Sequence, residues 1–304
     1  MNATITKLEQ RRQALYGDFK KGMTRGVIVI GVAAILFLAA ILLGSEDGPS
    51  GIMIVIAGMV AVVGFILIAS ASRHAGTFKT LIKTEFITEM LKEQFENVEY
   101  RHKDMISVTR INATEMIKRP DRFSGEDLMI GEYKGVRFEV SDIDLKERVE
   151  TTDSQGHRHV SYQTYFKGRW YIYTFGRMFE GTLKIAEGRG WSVGKRGLEK
   201  MESESMAFNK KFAIYTSSQE YAFYHLTPRI MEKFMELEKL HKGQIVFCFK
   251  NNELHIGVND HRDYMEMSIR KPLDQEAVKV FQSDIDVIPA IINEMKLDST
   301  KFKS

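Results

Sequence analysis

The sequence predicts an α+β cytoplasmic domain, with mixed or antiparallel strands and flanking helices, anchored by a two-helix transmembrane hairpin. Two long uncharged apolar stretches lie near the N-terminus, and short segments with alternating apolar and polar residues follow them, separated by amphipathic helical patterns. A buried helix repeats its apolar residues about every 3.6 positions, and a half-buried strand repeats them every second position. We therefore expect both element types after the apolar stretches.

The two apolar stretches cover residues 26–43 and 51–71, and neither contains a charged side chain. A hydrocarbon core about 30 Å thick needs about 20 apolar residues in a helix, so each stretch is predicted to span a bilayer. The polar turn Ser45–Ser50 is short, which requires an antiparallel hairpin. A cleaved signal peptide would have a shorter apolar core, so residues 26–71 are predicted to remain as a transmembrane hairpin.

Basic residues flank this hairpin on one side only. Lys20, Lys21 and Arg25 precede it, Arg73 and Lys79 follow it, and the connecting turn contains two acids and no basic residue. The positive-inside rule places such flanks in the cytoplasm, so both termini are predicted to be cytoplasmic in a multi-pass protein. Small residues allow helices to approach closely in a membrane, and the spans contain Gly26, Gly31, Ala33, Ala34, Ala39, Ala40, Gly58, Ala61 and Gly64.

Three further segments are predicted around the hairpin: a basic cytoplasmic N-terminal segment (1–25), an amphipathic linking helix (72–100) and the cytoplasmic α+β domain (101–304). The linking helix has an apolar stripe with polar residues, including Lys83, between its members, which are Phe78, Ile82, Phe86, Ile87, Met90, Leu91 and Phe95. The polar face mixes acids with lysines, unlike a typical lipid-surface helix. We therefore expect the stripe to pack on protein.

Alternation with a period of two predicts two β-hairpins in the α+β domain. One joins 127–133 to 136–140, and the other joins 244–249 to 253–258. The polar segment Thr151–His159 is predicted to be an exposed loop or a long hairpin tip.

Two helices are predicted in the C-terminal part of the chain. Thr227 and Pro228 suit the N-cap and first turn of one helix. Another helix starts near Asp274, and Pro289 is expected to kink or interrupt it.

Composition excludes several classes of function. The formal net charge is only +3, which disfavours a nucleic-acid partner. The single cysteine, Cys248, lies in an apolar run, so an intrachain disulfide is impossible and a small buried side chain is expected. The glycine-rich segment 188–197 has the wrong spacing for a phosphate-binding loop, and it is interpreted as a turn. No cofactor is predicted, and the catalytic residues are unknown.

The best metal-ligand candidates are His157 and His159, with Asp153 as a possible third ligand. Two histidines at i and i+2 on a strand point to the same side and can bind one ion. The alternative is a solvated polar loop without metal. Neither span contains an ionisable residue, which disfavours a pore or a proton pathway.

Three groups of residues together resemble an uncharacterised bacterial membrane family, a domain of unknown function numbered thirty-one thirty-seven. The groups are Phe123–Gly131, Phe166–Trp170, and Phe208–Tyr215 leading to Tyr224–Glu232. The resemblance implies a two-span anchor in the bacterial inner membrane, a cytoplasmic α+β domain and possible association with LemA-like membrane proteins. It implies no activity.

Two classes of function remain open. The first is a membrane-anchored interaction or scaffold module, favoured because no catalytic signature is present; its partners would be the lipid bilayer, a membrane protein or a second copy of the chain. The second is a membrane-tethered enzyme with an unrecognised, metal-dependent site at His157 and His159.

Overall fold

The computed structural model describes residues 2–42, 50–188, 191–240, 243–299 and 302. The chain forms two compact units: Met1–Met90 with Glu266–Gln282, and Leu91–Met265 with Ser283–Ser304. Helices and an antiparallel sheet are both present, so the predicted mixed class is confirmed.

Two long antiparallel helices form most of the first unit. Helix α1 covers Asn2–Leu42 and helix α2 covers Ser50–Leu81. Both are long and apolar enough, by length and composition alone, to cross a membrane. Residues 45–49 of the predicted turn lie outside the described residues, as does Leu43 at the end of the first predicted span, and Ser50 already begins α2.

The two helices pack along positions spaced seven residues apart. Seven residues make almost two helical turns, so such positions form one continuous seam, as in left-handed coiled coils. The seam residues are buried, and they are Phe19, Gly26, Ala33 and Ala40 on α1 and Ala57, Gly64, Ala71 and Phe78 on α2.

Glycine is required where the helices cross most closely. A Cβ atom on Gly26 would lie 2.5 Å from a side-chain carbon of Ile68 and 3.0 Å from the carbonyl oxygen of Gly64. An added Cβ on Gly31 or Gly58 would meet nothing within 4 Å. The predicted packing role of small residues is therefore confirmed for Gly26 and Gly64, and it is wrong for Gly31 and Gly58.

Polar contacts fix the first part of α1 beyond its apolar stretch. The Arg12 guanidinium donates to the carbonyl of Ile269 (2.7 Å), and the Glu9 carboxylate accepts from the amide of Leu273 (2.8 Å). Arg11 pairs with Glu85 at 2.7 Å. Residues 2–25 of the segment that was predicted only as basic (1–25) thus belong to a packed helix.

The linking segment is helical but not regular. A π-helix at Ile82–Ile87 follows α2 directly, and helix α3 covers Thr88–Gln94. The wider turn of a π-helix shifts the following side chains around the helix axis. Lys83, in this π-helix, is only 1% exposed, and its Nζ lies 2.8 Å from the Glu266 carboxylate. Placing Lys83 on the polar face was therefore wrong.

The apolar stripe of this segment is buried in protein, as predicted. In the first unit, the Phe86 ring packs edge-on against Phe281, with centroids 5.7 Å apart. In the second unit, Phe95 packs against Phe138 at 4.7 Å. The predicted helical range 72–100 is too long, because helix α3 ends at Gln94 and a strand follows.

The second unit is built on a nine-stranded antiparallel sheet with the order β1-β2-β3-β4-β9-β8-β5-β7-β6. Every pairing is antiparallel. The strands are β1 (Glu96–Arg101), β2 (Arg122–Tyr133), β3 (Val136–Thr152), β4 (Arg158–Thr174), β5 (Leu183–Glu187), β6 (Glu199–Met201), β7 (Phe212–Thr216), β8 (Gln244–Lys250) and β9 (Glu253–Asn259).

Both predicted hairpins are confirmed. Tyr133 pairs with Val136 in the first, and Lys250 pairs with Glu253 in the second. Strands β3 and β4 are much longer than the alternation indicated, and their ladder continues to the pair Thr152–Arg158. Thr151–His159 is therefore the tip of a long hairpin.

The second unit also contains α4 (Val108–Ala113), α5 (Met206–Lys211), α6 (Gln219–His225), α7 (Pro228–Leu240) and the C-terminal part of α8 (Gln275–Met295). The Thr227 hydroxyl accepts from the amide of Ile230 at 3.4 Å, as expected for an N-cap. Helix α8 continues through Pro289, so the expected interruption does not occur.

The two faces of the sheet have separate cores. Trp170 and Ile172 of β4 belong to a buried cluster on one face, together with Ile111 of α4. On the other face, the ring of Phe247 stacks on Phe234 of α7, with centroids 3.9 Å apart. Cys248 is buried in the first cluster, as predicted, and burial raises its thiol pKa to about 12.

Candidate functional site

The tip of the β3–β4 hairpin brings together the three predicted metal-ligand candidates. Asp153 Oδ2 lies 3.2 Å from His157 Nδ1 and 3.2 Å from His159 Nε2. The backbone amides of Gln155 and His157 donate to Asp153 Oδ1, each at 2.9 Å. These backbone bonds, with that of His157 first, lower the carboxyl pKa of Asp153. The arrangement presents two imidazoles and one carboxylate to solvent.

A second candidate is an open cleft of about 560 Å³ over strands β5, β7 and β6. Ala186 and Ala213 form a cross-strand pair among its lining residues. Two methyl groups leave a depression, whereas larger side chains would fill it. The Trp191 indole, at the side of the cleft, donates to the carbonyl of Glu187 at 2.7 Å.

Basic side chains outnumber acids around this cleft. Lys200, Lys210 and Lys211 line it, with Glu202 as the one acidic lining residue among those described. Lys211 is neutralised by Glu238. Lys200 and Lys210 are exposed, so the cleft has a weakly positive rim.

The glycine-rich segment borders the same cleft. Gly188 and Gly197 have positive φ angles of 69° and 70°, and the amide of Gly194 donates to the carbonyl of Glu115 at 2.7 Å. A phosphate loop leads directly into a helix, but the described residues 191–198 contain none. The interpretation as a turn is confirmed at residues 195–198, where the amide of Leu198 donates to the carbonyl of Lys195 at 3.0 Å; residues 189 and 190 lie outside the described ones.

A buried ionic cluster lies at the centre of the second unit. Arg169 is fully buried, and its Nε donates to Asp142 Oδ1 at 2.8 Å. Its Nη1 donates to the carbonyl of Asp284 at 3.0 Å, and its guanidinium lies 4.0 Å from the ring centre of Tyr264. The second carboxylate oxygen of Asp142 accepts from the amide of Tyr264 at 2.8 Å. These contacts fix the segment that leaves β9.

The neighbouring glycine explains why the motif Phe166–Trp170 has its form. Gly168 has φ +151°, and a Cβ there would lie 2.1 Å from the carbonyl oxygen of Val258. Only glycine fits this close approach of β4 to β9. Arg169 and Trp170 then face opposite sides of the sheet, one towards the ionic cluster and one towards the apolar core.

A polar chain joins Trp170 to the surface. The Trp170 indole N–H donates to His255 Nδ1 (3.2 Å), and His255 Nε2 lies 2.8 Å from Glu253. Because an indole only donates, the proton of neutral His255 is on Nε2. Glu253 also accepts from Arg110 at 2.6 Å. Bonds from His255 first, and from Arg110, lower the pKa of Glu253 to about 2 despite partial burial.

The sequence did not indicate these two clusters. Arg169 lies inside an apolar strand, which was the available signal, but its partners are 27 and 115 residues away. The hydrogen bonds of His255 to Trp170 and Glu253 are those of a structural histidine. His225 is also buried, between aromatic rings, and His261 has a positive φ of 59°. His241 lies outside the described residues.

Fold and surface together define an α+β protein that carries a pair of apolar helices. Residues 164–297 match a family described as "Protein of unknown function (DUF3137)". The predicted resemblance to this domain of unknown function is confirmed for these residues, which begin within β4 and end just after α8.

Two further comparisons add no functional information. A comparison with curated proteins found no match. Among solved structures, the chain is similar to the crystal structure of the mycobacterial trehalose monomycolate transport factor A, TtfA, at 6% identity, over 65% of this chain and 88% of that chain. The TM-score is 0.35, which is too low to support an argument.

Proposed function

We propose that this protein is a membrane-anchored interaction or scaffold module of the bacterial inner membrane, with both termini in the cytoplasm. The observation that carries the proposal is the exposed apolar surface of α1 and α2. Large side chains on both helices face outward, including Ile35 (68%), Phe37 (49%), Ile52 (68%) and Phe65 (63%). Contiguous apolar surface of this extent is costly in water and is matched by lipid.

The topology is tested with reporter fusions. A reporter fused after Ser304 is expected to behave as cytoplasmic, and one inserted within residues 45–50 as external, because the basic residues flank only the outer ends of the hairpin. External activity of the C-terminal fusion would reject the two-span topology.

The interaction role is tested by purification from solubilised membranes. A LemA-like membrane protein and a second copy of this chain are the two proposed partners. Co-purification of either, lost when Lys200 and Lys210 at the cleft are changed to glutamate, supports a scaffold that binds through the cleft. Recovery of the same partner with the wild type and with this double variant would show that the partner binds elsewhere on the protein.

A second candidate, a membrane-tethered metal-dependent enzyme, is favoured by the contacts of Asp153 with both His157 and His159. The test is the double change of both histidines to alanine, with Thr151→Ala and Thr152→Ala together as the matched control on the same exposed tip. A structural tip predicts unchanged metal content and stability within about 0.5 kcal/mol in both variants. Loss of stoichiometric zinc in the histidine variant alone would establish a metal site.

A further inference from the structure

The cationic side chains of the first unit differ in whether they are paired. Arg11 pairs with Glu85, and Lys79 and Lys83 both pair with Glu266 at 2.8 Å. Each of these pairs lies several residues beyond the apolar stretches. Their charge is therefore neutralised within the protein.

Four cations at the edge of the apolar stretches are different. Lys20, Lys21, Arg25 and Arg73 are exposed, and none of them forms an ion pair with another described residue. The acid nearest to them in the sequence of α1, Asp18, is also exposed and forms no ion pair with them among the described residues. We call these four residues the basic collar.

Helix packing places the basic collar at one level. An added Cβ on Gly22 would lie 2.8 Å from the Cβ of Ala71, so these two residues face each other across the helix pair. Lys20 precedes Gly22 by two residues and Arg73 follows Ala71 by two. Since the helices are antiparallel, both positions are displaced in the same direction, by about 3 Å at 1.5 Å per residue.

We infer that the basic collar binds the headgroups of anionic phospholipids in the cytoplasmic leaflet. The inference rests on the proposed membrane anchoring, because it needs the apolar stretches to lie in the bilayer. Cations directly beside a span lie at headgroup level, and clusters of four or more are typical of sites for anionic lipid. An anionic headgroup supplies the counter-charge that the described protein residues do not.

The occupant follows from position and charge. Exposed side chains of α1 and α2 directly beside the collar are apolar, including Val27 (58%) and Ile66 (61%). A ligand that covers both must have acyl chains and an anionic head. An acidic segment of a partner protein would match only the collar, and it is treated below as an opposing outcome.

The test uses the full chain, extracted with its native lipids into polymer-bounded nanodiscs. The ratio of anionic to zwitterionic lipid in the discs is compared with that of the whole membrane. The variant changes Lys20, Lys21, Arg25 and Arg73 to glutamine. The matched control changes Lys103, Arg119, Arg229 and Lys239 to glutamine, which removes the same charge from exposed sites in the second unit.

We expect the wild type and the control to enrich anionic lipid about fivefold or more over the collar variant. The attraction of a single basic residue near the membrane surface already corresponds to about a fivefold preference for anionic lipid. Enrichment should also decrease as salt is raised in discs reconstituted with phosphatidylglycerol. Equal lipid ratios in all three proteins would overturn the inference, as would an acidic protein that co-purifies only with an intact collar.

Failure of the inference can be distinguished from failure of the proposed function. Cytoplasmic behaviour of the Ser304 fusion together with equal lipid ratios rejects only lipid selectivity. If the collar variant is not inserted into the membrane, the wild type alone tests the inference. Its lipid enrichment is then measured at low and high salt in discs with and without phosphatidylglycerol. A wild-type ratio independent of salt would reject the inference.

Discussion

Two arginines contact the same aromatic ring from very different environments. The guanidinium groups of Arg169 and Arg262 lie 4.0 and 4.5 Å from the ring centre of Tyr264. The Arg169 side chain is fully buried against Asp142, whereas that of Arg262 is 52% exposed while pairing with Asp284. Both arginines make the cation–π contact, so the two residues differ mainly in how deeply their charge is buried.

Replacing Arg169 by methionine should therefore be far more damaging than the same change at Arg262. Loss of Arg169 leaves the Asp142 carboxylate buried without its charged partner, which costs about 3–5 kcal/mol. Loss of Arg262 should cost less, because half of its side chain is already in water and the buried Asp284 carboxylate keeps the amide of Met265 as a donor and the charge of Arg169 nearby. Chemical unfolding of the full chain in detergent measures both values. Equal losses would show that the ring contact, not the buried charge, controls stability.

His255 should make stability depend on pH. Burial, as the main cause, lowers its pKa in the folded protein, whereas the unfolded value is about 6.5. The stabilisation is therefore present above about pH 6.5 and is lost as the pH falls below that value towards the folded pKa. A proton added to Nδ1 of His255 would also point at the indole N–H of Trp170, which disfavours the charged imidazole.

Changing Trp170 to phenylalanine removes that N–H, so the pKa of His255 should rise and the acid loss of stability should become less steep. Histidine-selective NMR titration reads the pKa directly, with the exposed His159 signal as the internal reference. An unchanged pKa for His255 would mean that the indole does not control the proton position.

At this scale the sequence predicted which side chains are apolar and buried but not which charges are. Arg169 and Asp142 are separated by 27 residues, and the carbonyl of Asp284 is farther still. Their meeting depends on the register between β3 and β4, which pairs Asp142 with Arg169. Sequence alternation alone cannot fix that register.

The seven-residue seam of α1 and α2 makes a prediction about glycines that look alike in sequence. Gly64→Leu should push the helices apart, because its Cβ would already lie 2.6 Å from Ile30 and 3.1 Å from the carbonyl oxygen of Gly26. Overpacking of this kind costs about 1–3 kcal/mol. Gly58→Leu is the matched control, since an added Cβ there meets no atom within 4 Å.

The measurement is the rate of disulfide formation between single cysteines introduced at Ala33 and Ala57, in otherwise wild-type, G64L and G58L chains. We expect slower formation in G64L and no change in G58L. Similar rates in all three would mean that the seam does not hold the helices together.

Elements were predicted well where one pattern dominates and poorly where two compete. Apolar length predicted the apolar parts of α1 and α2, and alternation with a period of two predicted the hairpins around Lys134 and Asn251. The seven-residue spacing gives no distinct signal in the sequence, because many other small residues accompany it. The π-helix at Ile82–Ile87 could not be predicted, because no side-chain pattern specifies an extra residue in one helical turn.

For the molecule as a whole, the division into two units makes a prediction about a fragment that lacks α1 and most of α2. A fragment Thr77–Ser304 retains all nine strands, so amides of β4 and β9 should stay protected from hydrogen exchange. It lacks Glu9 and Arg12, which bond to Leu273 and Ile269 in the first unit. The amide of Leu273 should therefore exchange faster than in the full chain.

Hydrogen exchange with mass spectrometry compares the fragment with the full chain in detergent, with Val258 in the sheet as the control position. Loss of protection throughout the sheet would show that the second unit needs the first to fold. Unchanged protection at Leu273 would show that α1 does not order this segment.

The sequence placed everything after residue 101 in one domain, whereas residues 266–282 group with the N-terminal helices. No local pattern in residues 266–282 predicts this grouping. The segment is held by side chains such as Glu9 and Arg12, which precede it by more than 250 residues. Long-range pairing of this kind requires the folded structure.

The repeating seam has a consequence for the alignment of the hairpin. Because small residues recur every seven positions, sliding α1 along α2 by one repeat, about 10.5 Å, would again place small residues opposite each other. The apolar part therefore supplies proximity without choosing among these alignments. The pairs Arg11–Glu85 and Thr4–Glu89 form only in the observed one. The polar ends of the two helices thus specify the register of the hairpin, and the apolar seam does not.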